Sequence, residues 1–178
     1  MIIQMNHTLK YMYGNTGSAI FQASQGVRTA LKIKELGGDE YLQLAGLLHN
    51  VGHVLTPSKF YHEGVDTKHE QRGFMWLKFN KFPDRVIYPI RNHVSAKRYM
   101  CSTEWGYYEY LSRECKESFK LQGGFMTLEE KKLFSREPYF RESLLIRRAT
   151  DQARNNGVCS IIDFNELVDE LIFKENPQ

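Results

Sequence analysis

An apolar run that leads directly into two histidines constrains the fold of this chain more than any other stretch. Residues 42–48 carry mostly apolar side chains, and residues 49–53 read His-Asn-Val-Gly-His. Asp39 stands just before the run, where an acidic side chain favours the start of a helix. Side chains four residues apart on an α-helix lie on the same face. The stretch therefore predicts a helix that presents His49 and His53 together.

The composition is that of a globular protein of the cytoplasm. The chain has 178 residues, of which 42% are hydrophobic and 13% aromatic, enough for one domain with a real core. The net charge of +3 comes without a long basic run, which argues against nucleic acid but allows small anions. No apolar run approaches the roughly 20 residues of a membrane span. The three widely spaced cysteines, Cys101, Cys115 and Cys159, fit a reducing compartment.

The hydrophobic spacing is helical throughout, and strand signals are weak. We expect one all-α domain over residues 1–178, a helical bundle with its motif-bearing core at about 13–155. Pro89 lies inside one predicted helix and indicates a kink or a late start. Gly123-Gly124 predicts a turn, and Thr127 with Glu130 predicts a capping box. Helices are predicted over residues 19–36, from 39 through the two histidines, and over 69–79, 84–100, 103–119, 127 onward, 138–154 and 163–173.

Four side chains could bind a metal ion if the predicted helices converge. Three are the histidines His49, His69 and His93, and the fourth is Asp151. Imidazole and carboxylate ligands suit iron, manganese or zinc. A single histidine in a helix is more often a surface or core residue than a ligand, so the prediction depends on the group. His62, in a predicted loop, could be recruited as a further ligand.

A second group of side chains favours an anion. His53, Lys97 and Arg148 each lie three or four residues from one of the candidate metal ligands. If the ligands converge, these three converge beside them, and their charges would suit a phosphate or phosphonate oxygen. The alternative is that Lys97 and Arg148 are ordinary solvated charges on helix faces.

Several blocks of sequence together resemble one known family. They are residues 47–53 (Leu-Leu-His-Asn-Val-Gly-His), 93–101 (His-Val-Ser-Ala-Lys-Arg-Tyr-Met-Cys), 121–124 (Leu-Gln-Gly-Gly) and 147–151 (Arg-Arg-Ala-Thr-Asp). In this order they resemble the HD-domain mixed-valent diiron oxygenases that cleave organophosphonates, which include the glycine-forming 2-amino-1-hydroxyethylphosphonate dioxygenases. The resemblance covers about residues 13 to 155.

The resemblance implies a two-iron site held by four histidines and two aspartates, and this chain departs from it twice. Gln25 stands where the family has its first histidine, and Asn50 stands where it has the aspartate that bridges the two irons. Neutral amides bind metal weakly, and the two iron cations need anionic ligands to offset their repulsion. The remaining ligand positions are matched by His49, His69, His93 and Asp151.

The resemblance also implies that the anion-binding half of the site is kept. His53, Lys97 and Arg148 match residues that hold the phosphonate of the substrate, and Gln122 lies in the matching loop. His53 would also be the candidate general acid or base if the chain were catalytic.

Three functions remain open at this stage. The first, slightly favoured, is a pseudoenzyme that has lost the diiron site and binds a small phosphonate or phosphate, or a protein partner, with no cofactor or a single Fe, Mn or Zn ion. The second is an active metal-dependent oxygenase or hydrolase of an organophosphonate or organophosphate with an altered, mononuclear site. An HD phosphohydrolase ranks last, because residues 93–99 do not resemble those enzymes.

Overall fold

The prediction of an all-α fold is confirmed. The computed structural model describes residues 2–14, 17–55, 68–153 and 159–174, and within these ranges it contains helices and no β-strand. In chain order the helices are α1 (Ile2–Gly14), α2 (Gly17–Glu35), α3 (Glu40–Leu48), α4 (Val51–Val54), α5 (His69–Phe79), α6 (Asp84–Thr103), α7 (Tyr107–Tyr110), α8 (Arg113–Leu121), α9 (Leu128–Phe134), α10 (Phe140–Ala153) and α11 (Ile161–Lys174).

The centre of the bundle is formed by α2, α3, α6 and α10, which pack against one another. Helix α5 packs on α6, and α1 and α11 pack together on the α2 side of the bundle. Fully buried aliphatic side chains fill the centre, among them Ile33, Leu47, Ile90 and Ile146. Burying each such side chain stabilises the fold by about 1.5–3 kcal/mol. This apolar packing fixes the helix ends that carry the polar site.

Two glycines allow helices to approach one another closely beside the site. A Cβ added at Gly26 of α2 would overlap the carbonyl oxygen of Leu47 and lie 3.1 Å from its carbonyl carbon. A Cβ added at Gly52 of α4 would overlap the carbonyl oxygen of His69 and lie 2.6 Å from its carbonyl carbon. Both contacts are with backbone, which cannot rotate away. Glycine therefore holds α2 against α3, and α4 against the start of α5.

Several predicted elements agree with the structure. Helix α5 has the predicted bounds, and the Thr127 side chain and Glu130 form the predicted capping box at the start of α9. Gly123 and Gly124 have positive φ angles of 104° and 61°, as the predicted turn requires. Helix α6 begins at Asp84 and runs through Pro89, so the late start suggested by the proline is wrong.

The predicted helix over residues 103–119 is wrong, because the structure divides it into α7 and α8. Gly106 adopts a left-handed conformation with φ of 76° just before α7, and Leu111 is extended just after it. The Ser112 side chain then accepts a hydrogen bond from the amide of Cys115 and caps α8. Glycine and serine at these places end one helix and begin the next.

The predicted single helix through both histidines is also wrong. Helix α3 ends at Leu48, and α4 begins at Val51. Between them Asn50 has φ of −98° and ψ of 9°, a bridge-region conformation common at functional sites. The chain turns there and directs the Asn50 side chain toward α2, as the contacts below show.

Some expectations fall on parts of the chain that the structure does not describe. His62 and the stop after α4 lie within residues 56–67, and Arg154 lies within 154–158. Among the helices that are described, none is long and apolar enough to cross a membrane.

Candidate functional site

A cavity of about 200 Å³ opens where α2, α4, α5, α6, α8 and α10 meet. Because a water molecule occupies roughly 30 Å³ of liquid, the cavity has room for an anion of a few heavy atoms. It is lined by Phe21, Gln22, Gln25, His49, Asn50, His53, His69, His93, Val94, Lys97, Cys115, Ser118, Gln122, Arg147 and Thr150.

The four candidate histidines that the structure describes beside the cavity form one continuous cluster. The rings of His53 and His69 stack with centroids 3.9 Å apart. The ring of His93 lies 5.0 Å from that of His69 and 5.6 Å from that of His49. The convergence of the helices on which the metal-ligand hypothesis depended is therefore present at these side chains.

Backbone carbonyls orient two of these imidazoles. Nδ1 of His49 lies 2.7 Å from the carbonyl oxygen of Gly46, and Nδ1 of His93 lies 2.6 Å from that of Ile90. A carbonyl can only accept, so Nδ1 carries the proton in each ring, and Nε2 keeps its lone pair when the ring is neutral. Burial, followed by the nearby His69 and His49, holds the pKa of His93 well below its usual range.

The imidazoles of His69 and His93 meet edge to edge. Their Nε2 atoms lie 3.0 Å apart, and both rings are buried. Two nitrogen ligands at about 2.1 Å from one ion, at a right angle, would be separated by about 3.0 Å. The same separation also suits a direct hydrogen bond from His69 to the Nε2 lone pair of His93.

The two substituted ligand positions contact each other. The side-chain amide of Asn50 donates a hydrogen bond of 3.2 Å to Oε1 of Gln25, and Asn50 is buried. The close approach of α2 and α3 at Gly26 brings Gln25 to this place. The two amides thus satisfy each other where the resemblance leads us to expect an imidazole and a carboxylate.

Lys97 brings a buried positive charge to the cavity wall. Its side chain is 4% exposed, and its ammonium donates a 3.0 Å hydrogen bond to the hydroxyl of Ser118 and another to Oε1 of Gln122. Ser118 and Gln122 both come from the end of α8. The predicted proximity of Lys97 and Gln122 is therefore present.

The neighbouring Arg98 fastens the turn that carries Gln122. Its guanidinium donates to the carbonyl oxygens of Gly124 at 2.9 Å and Gly123 at 3.2 Å, and to Glu130 at 2.7 Å. Two sequence blocks that are far apart in the chain, 93–101 and 121–124, thus form one unit of structure.

Asp151 lies beside the cavity but is directed at other protein groups. Arg147 donates from Nε to Oδ2 of Asp151 at 3.0 Å and from Nη2 to Oδ1, and the hydroxyl of Tyr107 also donates to Oδ2. The side chains of Arg147 and Asp151 are only 7% and 8% exposed. Burial would lower the pKa of Arg147, but Asp151 and then Tyr107 raise it above its ordinary value.

Arg148 points away from this network. Its guanidinium lies 2.7 Å from a carboxylate oxygen of Glu104, and about half of its side chain is exposed. Within the described residues, the arginine that lines the cavity is Arg147 and not Arg148.

Several lining residues were missed by the sequence interpretation. Cys115 and Ser118 lie three residues apart on α8, and Gln122 follows four residues later, so the three share one face. This spacing could have identified Cys115 and Ser118 once Gln122 was chosen. Phe21 and Thr150 carry no comparable signal.

The cavity is cationic in character. Among the described residues that line it, Lys97 and Arg147 carry positive charge and none is an aspartate or glutamate. Likewise, residues 2–14, 17–55, 68–153 and 159–174 contain no group of three or more His, Cys, Asp or Glu side chains arranged to hold a metal ion.

An all-α bundle in which three histidines of this order converge on one cavity, with a buried aspartate beside it, is the arrangement of a protein of the HD-domain class. No protein-family model matches the chain. A hydroxymethylphosphonate dioxygenase from Gimesia maris is 38% identical over 130 residues, which are 71% of this chain and 64% of the relative. A 1-hydroxy-2-(trimethylamino)ethylphosphonate dioxygenase (glycine-betaine-forming) from Leisingera caerulea is 31% identical over 133 residues, which are 74% of this chain and 67% of the relative.

The chain therefore belongs to the HD-domain organophosphonate dioxygenase family. It is also 28% identical over 163 residues to an uncharacterised protein of Acanthamoeba polyphaga mimivirus, with 86% of this chain and 74% of that protein covered. The matched regions span about two thirds of the length of the two dioxygenases.

Proposed function

We propose that this chain is a non-catalytic member of the family that has lost the diiron centre and binds a small phosphonate or phosphate. The observation that carries the proposal is the hydrogen bond between Asn50 and Gln25. It joins the two positions at which the family resemblance implies metal ligands. The buried Lys97, which lines the same cavity, supplies the anion-binding half of the proposal.

The residues present do not fit a bridged pair of irons. Two iron cations a few ångströms apart repel each other strongly unless anionic ligands lie between and around them. The amides of Gln25 and Asn50 are neutral, and no carboxylate lines the described part of the cavity. Ligand or outer-shell losses commonly cost about 10–100-fold in metal affinity each. The donor set therefore supports loss of the two-iron centre.

The same cavity suits an anion. A phosphonate oxygen accepts hydrogen bonds, and the Lys97 ammonium and the Gln122 amide are donors at the cavity wall. Ser118 holds the ammonium in place, since its hydroxyl accepts from Lys97 and donates to the carbonyl oxygen of Cys115. To bind, the anion takes the place of the Gln122 oxygen at the ammonium, and the Gln122 amide turns its N–H₂ group inward. His53 lines the same space and would add a donor. A protein partner that placed an anionic group in this cavity would use the same donors.

Replacing Lys97 should weaken anion binding. We expect Lys97→Met to lower the affinity for inorganic phosphate and methylphosphonate by about 10–100-fold, since a hydrogen bond to a charged group contributes about 1.5–3 kcal/mol. Isothermal titration calorimetry on the full chain measures the change. Lys120→Met, at an exposed lysine of the same α8 end, is the matched control and should bind as the wild type does. Equal affinity in both variants would contradict the anion site.

The second candidate function is an enzyme with a single metal ion. The 3.0 Å separation between the Nε2 atoms of His69 and His93 favours it, because both rings could ligate one ion there. Under either candidate we expect no more than one Fe, Mn or Zn ion per chain by elemental analysis of protein from iron-supplemented cells. One ion that is lost in His93→Ala, together with product formation from a phosphonate, would favour the enzyme. Two irons with oxygen-dependent turnover would contradict both.

A further inference from the structure

We propose that Arg147 is the guanidinium that binds the anion, and that Asp151, at a metal-ligand position of the family, serves in this chain to position Arg147. The inference rests on the proposed anion-binding function and assigns a second cationic contact within it. It starts from the lining of the cavity, which includes Arg147 but not Arg148.

The contacts of Arg147 fix its plane and leave one edge of the guanidinium available. Nε and Nη2 face Asp151 in a side-on, two-bond arrangement, which is the strong and directional form of this ion pair. Within the described residues Nη1 makes no hydrogen bond. A guanidinium has five N–H donors, so the Nη1 edge keeps donors for a ligand in the cavity that Arg147 lines.

Tyr107 completes the support of this guanidinium. Its hydroxyl donates to Oδ2 of Asp151 and accepts from Nε of Arg147 at 3.2 Å. The desolvated Tyr107 hydroxyl has its pKa raised, first by burial, so it stays a neutral donor. Two side chains, Tyr107 from α7 and Asp151 from α10, thus hold the arginine in one orientation before any ligand arrives.

The same contacts occupy the carboxylate of Asp151. Oδ1 accepts from Nη2, and Oδ2 accepts from both Nε and the Tyr107 hydroxyl. A metal ion would have to displace a buried guanidinium to reach these oxygens, and breaking a buried ion pair is strongly unfavourable because it leaves an uncompensated charge. The charge of Arg147 therefore takes the role beside Asp151 that a cation of the family's metal centre would have.

Arg148 offers a matched control on the adjacent position of α10. Its guanidinium pairs with Glu104 at the surface, so its loss should leave the cavity unchanged. We expect Arg148→Gln to bind inorganic phosphate within about twofold of the wild type.

Arg147→Lys keeps the charge and a partner for Asp151 but removes the planar fork, and we expect about tenfold weaker binding. The double variant Arg147→Gln/Asp151→Asn removes both charges together, which a fold tolerates better than removal of one, and should bind about 10–100-fold more weakly.

The positioning role has its own readout, because Tyr107→Phe changes no charge. We expect it to weaken phosphate binding several-fold in the wild-type background and to have no further effect when Arg147 is replaced by lysine, as a double-mutant cycle would measure. Elemental analysis of Asp151→Asn should show the same metal content as the wild type. Circular dichroism on each variant checks that the fold is kept.

The outcomes separate this inference from the proposed function. The anion site stands if the wild type binds phosphate and Lys97→Met weakens that binding. If, in addition, Arg148→Gln weakens phosphate binding and Arg147→Lys does not, the assignment of Arg147 is wrong. A lower metal content in Asp151→Asn would show a metal ligand and overturn the positioning role. If the wild type binds no phosphate, both proposals fail.

Discussion

The double variant Gln25→His/Asn50→Asp is expected to bind more iron than the wild type, approaching two irons per chain. The new imidazole and the new carboxylate would stand side by side, since the present amides are already in hydrogen-bond contact at 3.2 Å. They would line the same cavity as His49 and the His69–His93 pair. With two ligands restored, we expect the affinity for iron to rise by roughly 100-fold or more. Elemental analysis after anaerobic loading with ferrous iron and dialysis measures the stoichiometry.

The matched control for this experiment uses a second glutamine of α2. Gln22 also lines the cavity, about one turn from Gln25, so Gln22→His/Asn50→Asp adds the same residue types with the imidazole misplaced. We expect no second iron in this control. Oxygen consumption with hydroxymethylphosphonate, tested on both variants, would show whether the restored ligands also restore turnover. Two irons in the wild type, or equal iron in variant and control, would contradict the proposed loss of the centre.

Gly52→Ala is expected to destabilise the protein by about 3 kcal/mol or more. Its Cβ would overlap the carbonyl oxygen of His69 and lie 3.0 Å from the amide nitrogen of Gly73. Overpacking costs about 1–3 kcal/mol when side chains can adjust, and here the neighbours are backbone atoms of α5. Relief would require α4 and α5 to separate, which would also pull His69 away from the ring of His53.

Chemical denaturation followed by circular dichroism measures this loss of stability. Gly17→Ala is the control, since a Cβ at Gly17 has no atom within 4 Å and its φ is not positive. Alanine is the better helix former, so this change should be neutral or stabilising by up to about 1 kcal/mol. Equal stability of the two variants would show that α4 and α5 do not meet at Gly52.

The helices that could be predicted from sequence are those whose ends carry local signals. Thr127 and Glu130 form the capping box that their spacing indicated, and the Gly123-Gly124 turn was predicted for the same reason. The break at Gly106 was missed because the surrounding residues suit a helix, and only the left-handed conformation of that glycine shows the interruption. The glycine itself was the available signal, since glycine adopts a positive φ more readily than any other residue.

The candidate site was predictable at the level of which histidines to group together. The sequence named His49, His69 and His93 as a group on the condition that their helices converge, and the rings do lie together. The sequence pattern could not decide which of Arg147 and Arg148 lines the cavity. The two side chains point about 100° apart around the helix, and the exact rotation of α10 is set by packing. Arg147 lies four residues before Asp151 and Arg148 lies three residues before it. Both spacings place an arginine one helical turn from Asp151, and only the spacing of Arg148 was considered.

Lys97 and Arg98, adjacent residues of α6, make different kinds of contact with the end of α8 and the turn that follows it. Arg98 holds the backbone of the 123–124 turn through its carbonyl oxygens, while Lys97 donates to the side chain of Gln122 just before that turn. An arriving anion therefore has to rotate the Gln122 side-chain amide and need not open the 123–124 turn. Side-chain rotation takes picoseconds to nanoseconds, whereas loop and lid opening extends to microseconds or longer. Rotation of the Gln122 amide should accordingly add no slow step to ligand exchange at this cavity.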